Sequence, residues 1–136
     1  YKDEDFLSQF NDIVFTENIN DIYENSDVIS LHIPHTSKTD KLINKEVLFT
    51  KMKKNPIIIN TSRGKLIDTD SLIDAIEKDQ IKGYLTDVLA EEPIHEDEKL
   101  IGVKNIIITP HVGSRTYQSV QRQGTCSINN LINNLI

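Results

Sequence analysis

The sequence predicts an α/β fold built on an open sheet of parallel strands. Four apolar runs of strand length recur along its 136 residues, at positions 27–31, 56–60, 83–88 and 105–109. Each run is nearly continuous rather than alternating in polarity, which indicates strands buried on both faces, as in a parallel sheet covered by helices. Segments with helical patterns separate the first three runs, and this alternation implies right-handed crossovers between neighbouring strands.

Helices are predicted before and between these strands. Asn20 begins a short first helix, Asn44 is a suitable N-cap for the second, and Asp68 or Thr69 is suitable for the third. The third helix carries one apolar stripe of Leu and Ile side chains that can face a sheet. The predicted helices cover residues 20–24, 45–52 and 71–78.

The last segment, residues 116–136, is predicted to form one long helix. Its apolar side chains fall roughly on one face, and Gly124 is a weak point within it. We expect that face to pack against a part of the protein outside these 136 residues. The apolar residues are Val120, Ile128, Leu131, Ile132 and Leu135.

Composition and charge limit the classes of function. With 38% hydrophobic residues the chain can bury the core of one domain. Its net charge of −6 argues against nucleic-acid binding, and the densest basic run, residues 51–54, is expected to be a solvated helix end. The sequence contains no apolar stretch of membrane-spanning length, no Cys or His spacing typical of a metal site, and a single cysteine. These features predict a cytoplasmic protein that binds neither nucleic acid nor membrane.

Three charged side chains each lie just beyond an apolar run. Arg63, Glu92 and His111 follow the second, third and fourth runs. Ligands collect at the carboxyl ends of parallel strands, and a guanidinium pairs with a carboxylate through two hydrogen bonds, so the pattern predicts a site for an acidic ligand. Each residue alone has a simpler interpretation, because a lone arginine is more often an ion-pair partner and a lone histidine more often a core or surface residue.

Short motifs surround these three residues in a specific order. They are LHIP at 31–34 with Thr39, TSRG at 61–64, residues 83–87 with EEP at 91–93, and TPHVG at 109–113. In this order and spacing they resemble the motifs of the D-isomer-specific 2-hydroxyacid dehydrogenases, a family that transfers hydride between a nicotinamide cofactor and a 2-hydroxy or 2-keto acid. The resemblance covers residues 24–124. It implies a partial, Rossmann-like, doubly wound parallel sheet, the second half of a nucleotide-binding domain.

The resemblance assigns catalytic roles to Arg63, Glu92 and His111. Hydride transfer to a ketone leaves a developing alkoxide that an acid must protonate, and an imidazole suits this task at neutral pH. His111 is therefore the expected acid, Glu92 would hold it in the productive tautomer, and Arg63 would bind the substrate carboxylate and polarise the carbonyl oxygen. We expect no direct chemistry from the other histidines, His32, His35 and His95.

The resemblance also implies residues that hold the cofactor, NAD, with NADP as the alternative. The backbone at Ile33 and Pro34 would lie along the adenosine half, and Thr39 and the turn at 61–62 would contact the dinucleotide. Asp87 would hydrogen-bond the nicotinamide carboxamide, and a carboxylate within an apolar run needs such a partner. The full expected set is Ile33, Pro34, Thr39, Thr61, Ser62, Arg63, Asp87, His111 and Gly113.

Two features depart from the family pattern. The Gly-x-Gly-x-x-Gly phosphate loop does not occur in these residues, so we expect the chain to begin just after the second strand of the nucleotide-binding domain. Residues 1–115 would then be the C-terminal portion of the NAD-binding domain, and residues 116–136 the helix that links back to the substrate domain. Tyr84 and Thr86 stand where the family usually has small or apolar residues, and bulk at position 84 is expected to alter packing beneath the nicotinamide.

The substrate and the assembly follow only from the resemblance. The resemblance does not select one substrate, because the loops that select it belong largely to the substrate domain. Four types of small 2-hydroxy or 2-keto acid stay open: lactate, hydroxyisocaproate, glycerate (with hydroxypyruvate as its keto acid) and 3-phosphoglycerate. Family members usually pair through the nucleotide-binding domain, so a homodimer is expected. The alternative function is an NAD(H)-responsive, corepressor-like binding module without turnover, which would show cofactor-dependent self-association and no NADH oxidation.

Overall fold

The computed structural model describes residues 12–135, in which four parallel strands form one sheet. The predicted α/β fold is confirmed, and each strand is slightly shorter than the apolar run that predicted it. Neighbours in the chain are neighbours in the sheet, so the carboxyl ends of all four strands lie at one edge. The strands are β1 (Val28–Leu31), β2 (Ile57–Asn60), β3 (Gly83–Thr86) and β4 (Ile106–Ile108).

Within the described residues, three α-helices accompany the sheet near the predicted positions. They are α1 (Ile19–Asn25), α2 (Thr69–Glu77) and α3 (Tyr117–Leu135). Asp68, one of the two predicted caps, occupies the N-cap position of α2. Its carboxylate pairs with Lys41 Nζ at 2.8 Å and accepts a hydrogen bond from the Ser71 hydroxyl, which ties α2 to the loop after β1.

The start of α1 differs from the prediction. The N-cap is Asn18, whose Oδ1 accepts a hydrogen bond from the Asn20 backbone N–H at 3.2 Å, so Asn20 lies inside the helix. Asparagine is a good cap at either position. The choice is made by neighbouring side chains, because Asn18 Nδ2 also donates to Asp21 Oδ1 at 2.9 Å.

The predicted second helix is a single π-helical turn, Val47–Lys51. Asn44 Oδ1 accepts a hydrogen bond from Val47 N–H at 3.2 Å, but the N-cap position of this turn is Glu46 and not the predicted Asn44. Met52 N–H donates to Val47 O, five residues back, at 3.0 Å. Leu48 and Met52 are both buried. An α-turn and a π-turn would both present these two side chains to the same side, so the local pattern does not distinguish them.

The hydrophobic core lies on one face of the sheet. The strand register places Ile29, Ile58 and Tyr84 in one row across β1, β2 and β3, and all three are buried. The π-turn and α2 contribute Leu48 and Leu72 to the same core. The segments that follow β1 and β2 therefore pack on the same face, as right-handed crossovers require.

The opposite face is only partly covered by the described residues. Val28 in β1 is 53% exposed and Ile107 in β4 is 59% exposed. The prediction of burial on both faces is therefore wrong for residues 12–135. The reason is that the π-turn and α2 both lie on the other side.

The C-terminal helix contributes nothing to this core. α3 runs through Gly124 without a break, as one helix of 19 residues, and none of its residues is buried. That its apolar face packs against another part of the protein stays a prediction. Within residues 12–135 no helix has the length and apolar character needed to cross a membrane.

Candidate active site

The loops at the carboxyl edge of the sheet bring the three predicted catalytic residues together. Arg63 follows β2, Glu92 lies in the loop after β3, and His111 follows β4. All three line one cavity of about 350 Å³. His35, in the loop after β1, and Lys65, in the segment after β2, line the same cavity, so the segment after each of the four strands contributes at least one polar side chain to it.

His111 and Glu92 form a direct pair. His111 Nδ1 lies 2.7 Å from Glu92 Oε2, and Glu92 Oε1 accepts a hydrogen bond from Leu89 N–H at 2.9 Å. Because an ionised carboxylate only accepts, Nδ1 must carry the proton of this bond. The other ring nitrogen, Nε2, makes no hydrogen bond within residues 12–135, so it is available to exchange a proton with a ligand.

The surroundings of Glu92 keep it ionised. The hydrogen bond with His111 is the main reason that the pKa of Glu92 is lowered, the Leu89 N–H adds to it, and the positive charge of Arg63 contributes further. Both members of the pair are partly exposed, with side-chain exposures of 44% for His111 and 36% for Glu92. Exposed ion pairs contribute little to stability, so the pair acts mainly by orienting the imidazole.

Asp87 holds the backbone on which His111 is mounted. Its Oδ1 accepts hydrogen bonds from Thr109 Oγ1 at 2.5 Å and Val112 N–H at 2.9 Å, and its Oδ2 accepts one from Gly113 N–H at 2.7 Å. Burial tends to raise the pKa of Asp87, but these three hydrogen bonds outweigh it and the pKa is lowered. His111 itself has a φ of +53°, a conformation unfavourable for a non-glycine residue, and the contacts on either side keep it there.

Arg63 is presented by a turn that is fixed from inside the protein. Asn60, at the end of β2, is fully buried, and its side chain accepts from Ser62 N–H at 3.0 Å and donates to Arg63 O at 2.9 Å. The guanidinium donates to Ser62 O at 2.6 Å and forms no ion pair within residues 12–135. The simpler interpretation of Arg63 as an ion-pair partner therefore does not apply to the described chain, and most of its donors are free.

Gly64 allows the Arg63 turn to lie directly against the loop that carries Glu92. A Cβ at position 64 would be 2.0 Å from Leu89 C and 2.2 Å from Ala90 N, both backbone atoms. Only glycine permits this approach. The contact draws Arg63 and Glu92 toward the same cavity although they lie in different loops.

The residues expected to hold the cofactor lie at the carboxyl edge of the sheet. Several of them also form hydrogen bonds that connect the loops at this edge. Ser62 Oγ donates to Leu31 O at 2.7 Å, which joins the ends of β1 and β2. Thr39 Oγ1 donates to Pro34 O at 2.9 Å and accepts from Thr36 N–H at 2.8 Å, which closes the loop after β1. Ile33 is half-buried against the core, and Thr61 is exposed at the edge.

Three residues that sequence reasoning did not select contribute to the site. His35 was set aside, yet it lines the cavity and its Nε2 lies 2.7 Å from Asp40 Oδ1. Asn60 and Tyr84 support the Arg63 turn from the core. Position in the sequence could have identified two of them. His35 follows the first strand, and Asn60 is a polar residue at the end of an apolar run.

The sequence of the chain matches one protein family over most of its length. Residues 2–113 match the family model described as D-isomer specific 2-hydroxyacid dehydrogenase, NAD binding domain. The chain belongs to this dehydrogenase family. The resemblance inferred from the motifs is confirmed, and the matched part of the family is its NAD-binding domain.

Relatives of this chain are named as reductases and dehydrogenases of small acids. A glyoxylate reductase from Thermofilum pendens is 38% identical over 118 residues, which cover 87% of this chain and 34% of the relative. A hydroxypyruvate reductase from Blautia hydrogenotrophica is 40% identical over 113 residues, covering 83% of this chain and 35% of the relative. The structure of a D-lactate dehydrogenase with NAD+ from Lactobacillus jensenii has a TM-score of 0.74 at 30% identity and covers 89% of this chain and 43% of that one. The chain thus spans about a third of the length of the curated relatives it matches.

Proposed function

We propose that the protein containing this domain reduces a small 2-keto acid with NADH, or runs the reverse oxidation of a D-2-hydroxy acid. The observation that carries the proposal is the convergence of Arg63, Glu92 and His111 on one cavity at the carboxyl edge of the sheet. A cation for the substrate carboxylate and an acid–base group for its carbonyl oxygen are the two groups that this reaction requires from the protein.

The proposed mechanism divides the work among the three side chains. Arg63 binds the substrate carboxylate through its free N–H donors and places the carbonyl oxygen near His111. His111 Nε2 gives a proton to that oxygen as the hydroxy acid forms, and Glu92, held to Nδ1 at 2.7 Å, stabilises the charged imidazole before the transfer. The nicotinamide cofactor, when bound, supplies the hydride.

The residues at the sheet edge fit a dinucleotide by the chemistry of their groups. Arg63, Lys65 and His35 line the cavity and suit anionic groups, while hydroxyls and backbone groups of the loops after β1 and β2 lie at the same edge. We assign cofactor binding to Ile33, Pro34, Thr39, Thr61, Ser62, Arg63, Asp87, His111 and Gly113. We expect NAD rather than NADP as the cofactor, because members of this family usually use NAD.

The names of the relatives narrow the substrate. Two curated relatives, at 38% and 40% identity, are reductases named for glyoxylate and for hydroxypyruvate, whereas the structure named a D-lactate dehydrogenase is 30% identical. We therefore propose glyoxylate and hydroxypyruvate as the first substrates, pyruvate as the next, and the larger keto acids of the hydroxyisocaproate and 3-phosphoglycerate types after them. The same names favour an enzyme over the corepressor-like binding module.

Domain arrangement and assembly are part of the proposal. Residues 1–115 form the C-terminal portion of the NAD-binding domain, and residues 116–136 link it to a substrate domain. The exposed apolar face of α3 supports this arrangement, because a helix with such a face needs a partner surface. The whole protein is expected to be a cytoplasmic homodimer, which light scattering after size-exclusion chromatography tests.

Substitution of Arg63 tests the proposed function. In the whole protein, Arg63→Ala is expected to lower kcat/KM for glyoxylate or hydroxypyruvate by about 10- to 100-fold, because hydrogen bonds to charged groups contribute roughly 1.5–3 kcal/mol. Part of this decrease should appear as a higher KM for the keto acid and part as a lower kcat. Arg122→Ala, which removes an exposed arginine from α3, is the matched control. Unchanged kinetics for Arg63→Ala would remove this residue from the site.

A further inference from the structure

The phenol of Tyr84 lies in the core directly beneath the Arg63 turn. Tyr84 is 2% exposed, and its register partner in β2 is Ile58, two residues before Asn60. Its hydroxyl accepts a hydrogen bond from Asn60 Nδ2 at 3.2 Å. Burial raises the pKa of Tyr84, so the group is a neutral hydroxyl at physiological pH.

The Asn60 amide connects this phenol to the turn. Its two N–H groups have two acceptors, Tyr84 Oη at 3.2 Å and Arg63 O at 2.9 Å, and its Oδ1 accepts from Ser62 N–H at 3.0 Å. The orientation of the amide is determined by these partners, because a backbone N–H only donates and a carbonyl only accepts. Since Asn60 is fully buried, water has no access to replace a lost partner.

From this geometry we propose that Tyr84 is a positioning residue for Arg63, acting through the Asn60 amide. The inference rests on the proposed function, in which Arg63 binds the substrate carboxylate. Without the phenol hydroxyl, one amide N–H of Asn60 has no acceptor in the core. A buried donor without a partner is unfavourable, so the amide rotates or the turn moves, and both displace the backbone that carries the guanidinium.

The test compares Tyr84→Phe with wild type in the whole protein. The ring is retained and only the hydroxyl is lost, so the core stays filled. We expect KM for glyoxylate or hydroxypyruvate to rise about three- to tenfold, because a small displacement of a binding group weakens the orientation of the substrate. Unchanged KM for the keto acid would overturn the inference.

Tyr23→Phe is the matched control. Tyr23 is also in the core, 4% exposed, and its hydroxyl has no hydrogen-bond partner within residues 12–135. Removing it deletes the same atom from the same kind of environment without touching the Arg63 turn. We expect unchanged kinetics. Equal rises in KM for both variants would show a general effect of the missing hydroxyl and would also overturn the inference.

A double substitution separates positioning from general structural support. If Tyr84 acts through Arg63, adding Tyr84→Phe to Arg63→Ala should produce no further rise in KM, because the group being positioned is already absent. A further rise in KM in the double variant would show that Tyr84 affects substrate binding by another route and would overturn the inference.

A measurement without turnover keeps the inference testable if the proposed function fails. Amide hydrogen exchange at Ser62, whose N–H bonds to Asn60, should accelerate at least threefold in Tyr84→Phe and stay unchanged in Tyr23→Phe. Absence of any 2-keto-acid reduction by wild type would defeat the proposed function alone. Unaltered exchange at Ser62 in Tyr84→Phe would defeat the role of Tyr84 in holding the turn.

Discussion

Two carboxylates near His111 have different tasks because their surroundings differ. Asp87 is 8% exposed and is held by three hydrogen bonds from Thr109, Val112 and Gly113. Glu92 is exposed and holds the imidazole directly. The buried acid therefore maintains the backbone of the loop after β4, whereas the exposed one orients the side chain that carries the proposed chemistry.

Substitution of Asp87 by Asn should destabilise the domain at neutral pH. The amide cannot accept from all three donors, so we expect the free energy of unfolding to fall by about 1–3 kcal/mol. The lowered pKa of Asp87 means that its contribution is present above the ordinary aspartate pKa of about 4 and is lost as pH falls through the lower native value. The difference between wild type and Asp87→Asn should therefore shrink toward acidic pH.

Urea unfolding between about pH 3 and pH 7 measures this difference, since the ordinary aspartate range lies near its lower end. Asp97→Asn, at an exposed position, is the control and should parallel wild type across the range. A destabilisation of Asp87→Asn that is constant with pH would contradict the proposed cause.

Glycine at position 64 is required by the close contact of two loops. Gly64→Ala would place a methyl group within about 2 Å of the Leu89 backbone, which cannot move aside as a flexible side chain can. We expect a loss of about 1–3 kcal/mol in the free energy of unfolding, as for other overpacked sites. Gly124→Ala is the comparison, because no atom beyond its own turn of helix lies within 4 Å of its Cβ position, and alanine favours a helix by about 0.5–1 kcal/mol. Thermal unfolding that ranks both variants as equally stable would refute this account.

At the scale of elements, two amphipathic helices have different outcomes. α2 buries Leu72, Ala75 and Ile76 against the sheet, whereas α3 buries no residue in the described chain. An amphipathic pattern indicates that a helix has an apolar face, but not which surface covers it. The contribution of each helix to the stability of this chain should differ accordingly.

Paired leucine substitutions test that difference. In the 136-residue chain, Leu72→Ala should lower the free energy of unfolding by about 2–5 kcal/mol, because it leaves a cavity in the core. Leu131→Ala should change it by less than about 0.5 kcal/mol, because Leu131 is 61% exposed. Urea unfolding gives both values. A large cost at Leu131 would show that α3 packs against the domain in solution.

At the scale of the whole molecule, the proposed function makes the described cavity one side of a larger site. The chain covers about a third of the length of its relatives, and both His111 and Glu92 are partly open to solvent. Hydride transfer is favoured where water is excluded and the substrate is held from several sides. The residues that would close the cavity are expected in the substrate domain.

The isolated 136-residue chain should therefore show little turnover. Mixed with NADH and glyoxylate, it should oxidise NADH at least about 100-fold more slowly than the whole protein, because poor positioning alone can cost that much. The decrease in NADH absorbance measures both rates, and a reaction without protein supplies the baseline. Comparable turnover by the isolated chain would mean that the described cavity is a sufficient site.

Much of this architecture was accessible from local patterns. Apolar runs predicted all four strands, and capping residues and stripes predicted the helices near their observed positions. The π-turn at Val47–Lys51 and the partly open face marked by Val28 and Ile107 depend on packing between distant residues. The error at the cap of α1 has a local cause, the hydrogen bond between Asn18 and Asp21. For the site, the motifs identified Arg63, Glu92 and His111, but not the support from Asn60 and Tyr84.

The sequence by itself determined the fold class, the family and the three residues proposed for catalysis, because strand length, helix periodicity and motif order are properties of neighbouring residues. Only the tertiary structure decided that Arg63, Glu92 and His111 share a cavity, that Asp87 holds the backbone around His111, and that Tyr84 supports the Arg63 turn. The hydrogen bonds among these residues join positions 19 to 25 residues apart. They depend on burial and on close approaches such as that of Gly64, which no local pattern specifies.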